Sequence, residues 1–436
     1  MEIASQAATW QVVSAAVIFL VSYAVIITDK INRAIIALAG ALLLILLGIA
    51  DMKMAYSHYI EWQTIFLLVG MMLLVGIVNK SGIFQYIAIK SAQIAKGEPI
   101  RILLMLSLVT AVGSAFMDNV TTVLLMVPVT FTITRVLKLN PIPYLISEIL
   151  AANIGGTATL IGSPPNMMIG TATHLDFNDF LLNLAPVAVV ILAVTLLFLR
   201  LWYGAQLRIA DKQKAELMTI DAGGCIKNKA LAIKSLIVLG LTLLGFLLHS
   251  AIQVEAAVVA IAGATLLMLI SVKDIKAEDV FHSVEWVTVL FFAGLFVLVG
   301  GLTETGIIGK ITTSLLEMTE ANIPFIAMIV LWVSGIASAT VDNIPFVASM
   351  IPMIKDIGVQ LGVQDEALDP IWWSLALGAS LGGNGTLIGA SANMIAAGMA
   401  GKEGKPLSFA AFLKIGLPVT LISLAISTIY VSFILM

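Results

Sequence analysis

The sequence predicts an all-α polytopic membrane protein made of two inverted repeats, with about ten transmembrane helices, two re-entrant hairpins and two broken helices. Three observations carry that expectation. The first is composition: over 436 residues, 60% are hydrophobic and 11% charged, with a mean hydropathy of +1.06, whereas a soluble domain carries roughly 25% charged residues. The second is self-similarity. His58, Glu61, Trp62, Thr64, Gly70, Leu74-Val75-Gly76 and Gly82 recur in register as His282, Glu285, Trp286, Thr288, Gly294, Leu298-Val299-Gly300 and Gly306. Asp118-Asn119 after Ser114-Ala115 returns as Asp342-Asn343 after Ser338-Ala339, and Thr159-Leu160-Ile161-Gly162 returns as Thr386-Leu387-Ile388-Gly389. Two membrane halves that repeat polar, broken segments at matching places are the signature of a secondary transporter. The third is the distribution of basic residues, which fixes the sense of the repeat.

Apolar runs able to cross a hydrocarbon core, at about 20 residues each, fall at 11–28, 33–50, 62–79, 144–172 and 180–201 in the first half. Those of the second half fall at 233–249, 255–272, 286–302, 371–400 and 408–433. Two further regions, 102–136 and 323–354, are interrupted at the middle by Asp-Asn. Each reads as a re-entrant hairpin with a polar tip; two full spans per region is the alternative, because 102–116 is short for a crossing. The first repeat then covers 1–206, with its hairpin and the broken helix 144–172. The second covers 235–436, with its hairpin and the broken helix 371–400.

With the N-terminus outside and five crossings per half, every Lys and Arg except Lys53, Lys310 and Lys355 falls on the cytoplasmic side, as the positive-inside rule asks. The stretch 207–234, with Arg208, Lys212, Lys214, Lys227, Lys229 and Lys234, is a cytoplasmic linker. Five being odd, the second repeat enters from the opposite side. The acidic Met1-Glu2 gives no basic leader, so the first span is expected to stay. A net charge of −3 and no long basic run exclude a nucleic-acid partner. The single cysteine, Cys225, lies in the linker and excludes a thiolate metal cluster.

Asp118 and Asp342 are the sharpest chemical candidates. A carboxylate inside a membrane costs on the order of 2.5–3.5 kcal/mol on insertion scales, so two at matching tips need a partner, a proton or an ion. Capping of the following helix is the structural alternative. Asn119, Thr121 and Thr122 add neutral donors and acceptors at the first tip; the second keeps Asn343 but has Pro345-Phe346 in place of the threonines. The other candidate runs from Asn153 through Gly155-Gly156-Thr157 and Thr159 to Ser163-Pro164-Pro165-Asn166. Glycines and prolines around a short polar stretch mark an unwound break, with Ser163 as N-cap and Pro164 opening a new half-helix. The free N–H groups there favour an oxygen-rich or anionic ligand. Its mate runs from Ser380 through Gly382-Gly383-Asn384 and Thr386 to Asn393. Close helix packing is the alternative for these glycines. Glu148 has no acidic counterpart and stands between a snorkelling and a proton-relay role. His58, His282, Glu61 and Glu285, beside Trp62 and Trp286, read as interfacial anchors. No metal-ligand spacing, phosphate loop or nucleophile-base triad is evident, so neither an enzyme nor a nucleotide-driven pump is expected.

The stretches Ser114 to Leu125 and Asn153 to Asn166 resemble the ArsB/NhaD family of the ion-transporter superfamily, which embraces arsenite permeases, sodium/proton antiporters and P-protein-like carriers. The resemblance covers essentially the whole chain. It implies a scaffold part, a transport part holding the hairpins and broken helices, an elevator-like displacement and a homodimer; it leaves open a cytoplasmic ATPase partner on the linker. It does not fix the solute. Dicarboxylate carriers of the superfamily have neutral tips, whereas Asp118 and Asp342, with no Lys or Arg at either tip, would repel a dianion. The expectation is proton-coupled efflux of arsenite or antimonite, a small uncharged trihydroxide, across the cytoplasmic membrane. Asp118 and Asp342 would exchange the proton, with Glu148 a third candidate. Asn119, Asn343 and the breaks would hold the solute, closer to the first half, where Thr121-Thr122 and Pro164-Pro165 occur. Sodium/proton antiport and another inorganic or organic anion carrier are the alternatives. The partners are a small inorganic solute and the lipid bilayer; no cofactor is expected, and the coupling ion is H+ or alternatively Na+.

Overall fold

The structure, a computed structural model, describes residues 8–28, 30–207, 211–226 and 228–435, those from 211 to 213 in backbone only. Met1-Glu2, Arg208 and Lys227 lie outside the described residues, as does the side chain of Lys212. The described regular structure is helical. The first half holds α1 (Thr9–Thr28), α2 (Arg33–Leu46), α3 (Met52–Met54), α4 (Trp62–Lys80), α5 (Ile83–Ile94), α6 (Pro99–Phe116), α7 (Asn119–Val136), α8 (Ile142–Thr157), α9 (Pro164–Ala172) and α10 (Phe177–Tyr203). A short α11 (Asp211–Met218) lies in the linker. The second half repeats the order with α12 (Lys229–Leu248), α13 (Ala256–Ile270), α14 (Ala277–Phe281), α15 (Trp286–Glu304), α16 (Ile307–Met318), α17 (Ile323–Thr340), α18 (Asn343–Leu361), α19 (Asp369–Gly382), α20 (Ser391–Lys402) and α21 (Phe409–Tyr430).

Local chemistry explains the boundaries. Asn32, Asn228 and Asn322 cap the helices that follow them through their side chains. The corners between α4 and α5 and between α15 and α16 each need a left-handed residue, and Gly82 (φ 82°) and Gly306 (φ 72°) supply it. Those two glycines recur in the sequence for that reason. Gly48 (φ 66°) lies in the turn that closes α2, so α2 has 14 residues and its mate α13 has 15. Both are shorter than the apolar runs that predict them, about 21–23 Å at 1.5 Å per residue. Ten described helices are long and apolar enough to cross a membrane, the four hairpin arms among them.

The halves interlock through reciprocal pairs. α2 packs on α15 and α4 on α13, and α7 lies against α20 and α18 against α9; within each half, α6 runs along α8 and α17 along α19. Each pair thus occurs with its repeat mate. Ion pairs respect the two sides that the charge count assigns. Lys80–Asp279, Arg135–Glu403, Lys214–Glu98 and Lys234–Asp274 join residues of the basic side, and a side-chain contact of 3.2 Å between His174 and Asp369 joins residues of the other. The arm α6 begins at Pro99 and has 18 residues, so its length alone would allow a crossing. The tips decide: Asp118, Asn119 and Val120 line the same small void as Asn343 and Ile344. Two opposed hairpins that meet at their tips are re-entrant.

Candidate functional site

At the first tip the chain satisfies itself. Asp118 is buried and caps α7: its Oδ1 accepts the Thr121 backbone N–H at 2.9 Å and its Oδ2 the Thr121 hydroxyl at 2.6 Å. Thr122 donates to the Asp118 carbonyl at 3.0 Å. The Asn119 amide donates to Asn153 Oδ1 at 2.8 Å. The capping alternative for Asp118 is therefore what the geometry contains.

The second tip has no such option, because Pro345 stands where Thr121 stands in the first half and carries neither hydroxyl nor N–H. Asp342 Oδ1 takes the Ile344 N–H at 3.2 Å, and its Oδ2 is served from other helices. Arg33 Nη1 reaches it at 2.6 Å and the Ser391 hydroxyl at 2.6 Å. The same Arg33 Nη1 also contacts Ser391 Oγ at 2.5 Å, while Nη2 donates to Thr288 Oγ1 at 3.1 Å. Its guanidinium sits 5.0 Å from the Phe291 ring centre. The Arg33 and Asp342 side chains are only 19% and 14% exposed, so the pair is largely withdrawn from water. Asn343 lines the void between the tips, and its side-chain amide makes no hydrogen bond among the described residues. The statement that no Lys or Arg attends either tip is thus corrected. No cation is near in sequence, but the first residue of α2 brings one in space.

The breaks are held by their own side chains. Asn166 Nδ2 donates to the carbonyls of Thr157 (3.1 Å) and Thr159 (2.8 Å), and its mate Asn393 to those of Gly383 (2.7 Å) and Thr386 (2.9 Å). Thr159 and Thr386 tie each break to the last turn of the adjacent hairpin arm, donating to Ala115 and Ala339 carbonyls at 2.5 Å. Thr157 bonds back to the Asn153 carbonyl at 2.8 Å. Asn153 is the hub between halves: its Nδ2 donates to Asn384 Oδ1 (2.9 Å) and Asn393 Oδ1 (3.1 Å). The glycines serve close approach. A side chain on Gly155 would strike the Ala111 carbonyl, and one on Gly382 the repeat-related Gly335 carbonyl. Gly156 and Gly383 face the backbone of Gly162 and Gly389 across their own breaks. Ser163 is the N-cap residue of α9 but makes no capping bond; its hydroxyl lies 3.4 Å from that of Ser380.

Glu148 is fully buried. One oxygen accepts the Thr130 hydroxyl, and the other has no partner among the described residues. Enclosure by protein rules out the snorkelling alternative, since neither oxygen reaches the surface.

A cavity also opens beside the second tip. A cavity of about 260 Å³ is lined by Asn32, Arg33, Asp342 and Ser391, with Ile26, Val341, Met394 and other apolar neighbours. The void between the tips, about 10 Å³, also touches Glu285 and Thr288 and has room for at most about one water. Four residues to which sequence reasoning gave no site role line these spaces: Arg33, Glu285, Thr288 and Ser391, the last within the second break. Each left a trace. Arg33 is a cation at the first position of a helix, where the dipole disfavours it. Glu285 and Thr288 belong to the repeated Glu-Trp-x-Thr, in which the tryptophan drew attention to the interface. Ser391 replaces the Pro164 of the other half.

A profile of the CitMHS family, described as "Citrate transporter", matches residues 23–378. The chain belongs to that family. Within the range of its relatives, an uncharacterized transporter of Mycobacterium bovis is 41% identical over 421 residues, covering 96% of this chain and 97% of that one. A 46 kDa membrane protein of Mycobacterium leprae is 39% identical over 422 residues, with the same coverage. The P protein of Mus musculus is 35% identical over 502 residues, spanning 96% of this chain but 60% of that longer protein. In fold the chain is similar to the YdaH transporter of Alcanivorax borkumensis, with a TM-score of 0.55 at 14% identity, covering 90% of this chain and 88% of that one. The CitMHS chain is a multi-pass membrane secondary transporter.

Proposed function

We propose that this CitMHS transporter carries a small carboxylate anion by proton-coupled alternating access, with the solute in the cavity beside Arg33, Asp342 and Ser391. The observation that carries the reading is the guanidinium at the second tip. It removes the reason for excluding an anion, and the α20 N-terminus beside it offers N–H groups to negative charge, whereas Pro164-Pro165 deprive α9 of them. The family's description as citrate transporters points the same way. Elevator-like movement of the hairpins and broken helices past α2, α4, α13 and α15, the basic side facing the cytoplasm, and placement in the cytoplasmic membrane belong to the same proposal.

An uncharged trihydroxide such as arsenite or antimonite is the second reading. It is favoured by the neutrality of the Arg33–Asp342 pair, which leaves hydroxyls and amides as the recognition groups. Proteoliposomes under an imposed pH gradient, offered citrate, succinate, arsenite, antimonite or sodium, decide between them. Gradient-driven citrate or succinate flux is the expected result. Flux of arsenite and antimonite with none of the carboxylates selects the second reading; sodium-linked proton movement alone overturns both.

A further inference from the structure

We propose that Asp342 and the substrate compete for one guanidinium. When Asp342 takes a proton, Arg33 is released to bind a substrate carboxylate, so one proton is bound for each carboxylate that Arg33 receives. This rests on the anion reading above and assigns its coupling to a single residue pair.

The argument begins with placement. Arg33 is the first residue of α2, where it opposes the helix dipole, and only Asp342 Oδ2 gives it a negative partner at hydrogen-bond distance among the described residues. Asp342 is equally dependent. Of its other contacts, the Ile344 N–H is a cap and Ser391 a neutral hydroxyl. Burying either charge without the other is costly, so the closed pair is the resting arrangement of an empty site. Arg33 makes three hydrogen bonds through Nη1 and Nη2, whereas a guanidinium has five N–H donors. Donors thus remain for a second acceptor, and Arg33 lines the cavity together with Asn32 and Ser391.

The exchange balances. A proton binds the Asp342 carboxylate, the Arg33–Asp342 ion pair opens, and a substrate carboxylate forms a new pair with the same guanidinium; no covalent bond changes. Neutral Asp342 keeps its Ile344 and Ser391 contacts, so the tip is not left unpartnered. The charged and titratable groups that face it are Tyr23 on α1, which donates to the Pro345 carbonyl and lies 2.9 Å from Ser349 Oγ; Arg33 on α2; and Glu285 and Asp118 across the void between the tips. Arg33 alone among them carries positive charge. The pair also bridges α2 to the hairpin, so its opening frees the hairpin from that neighbour.

The test is citrate binding to the purified full chain, read by thermal shift and by titration calorimetry between about pH 5.5 and about pH 8. Affinity for the wild type is expected to fall as pH rises, by up to about tenfold per pH unit. Asp342→Asn is expected to bind citrate at high pH as tightly as the wild type does at low pH, with a flat profile. A gain at high pH cannot be imitated by misfolding. Arg33→Gln is expected to lose about 30-fold or more, and Arg33→Lys to recover part of it. A wild type that binds citrate with no pH dependence, an Asp342→Asn variant that binds worse than wild type at high pH, or an Arg33→Gln variant with intact affinity each overturns the exchange. A wild type that carries arsenite and binds no carboxylate overturns the anion reading as well. Intact citrate transport in Arg33→Gln overturns the exchange and leaves that reading standing.

Discussion

The two hairpin tips have the same Asp-Asn pair and opposite ways of satisfying it. In the first, Asp118 is bonded by Thr121 of its own helix and Asn119 by Asn153 of the neighbouring α8, which runs on to Thr157 instead of unwinding at Asn153. In the second, Asp342 depends on Arg33 and Ser391 from two other helices, and Asn343 has no side-chain bond among the described residues. One substitution within the repeat, Thr121 against Pro345, accounts for much of the difference. A tip that supplies its own donors is a structural joint; a tip that borrows them from neighbouring helices can exchange them. Repetition of a motif between halves thus marked the two tips, while departure from it marks the second as the half in which the proposed site lies.

The comparison can be broken most forcefully at Arg33. Arg33→Gln leaves the Asp342 carboxylate without its cation and should lower stability in detergent by about 3 kcal/mol, measured as a fall in thermal midpoint that Asp118→Asn, which keeps an effective cap, does not share. Next comes the contrast between the asparagines. Asn153→Ala strips partners from Asn119, Asn384 and Asn393 and should cost about 2 kcal/mol, whereas Asn343→Ala should leave unfolding nearly unchanged; equal losses would show that both tips are tied alike. Thr121→Val removes one side-chain bond to Asp118 and should cost about 1 kcal/mol, visible in denaturation but not in the pH dependence of transport. The smallest effect is expected from Pro345→Thr, which offers Asp342 a donor of its own. It should weaken the hold of Arg33 by a few tenths of a kcal/mol, seen as a modest rise in citrate affinity at high pH.

Much of the fold was legible because it is written twice. The hairpin arms, the breaks and the inverted sense of the repeat follow from local pattern and charge, whereas Gly82 and Gly306 were seen to recur without their left-handed corners being read. The site was legible only in part. Asp118, Asp342 and the asparagines could be named, yet their partners could not, since hydrogen bonds such as Arg33–Asp342 join residues 309 positions apart. The glycines of the breaks were ambiguous for a related reason: a missing side chain gives equal room to a ligand or to a neighbouring backbone, and here Ala111 and Gly335 occupy it. Glu285 was hidden by its tryptophan, because an aromatic at a helix start is explained by the interface alone.

The central claim is that both aspartates cap but only Asp342 also couples. Proton uptake accompanying citrate flux in proteoliposomes, measured with an internal pH dye for Asp118→Asn and Asp342→Asn side by side, tests it most directly. The account predicts that Asp118→Asn keeps proton movement linked to citrate, while Asp342→Asn moves citrate, if at all, without protons. Loss of coupling in Asp118→Asn with coupling intact in Asp342→Asn would contradict it.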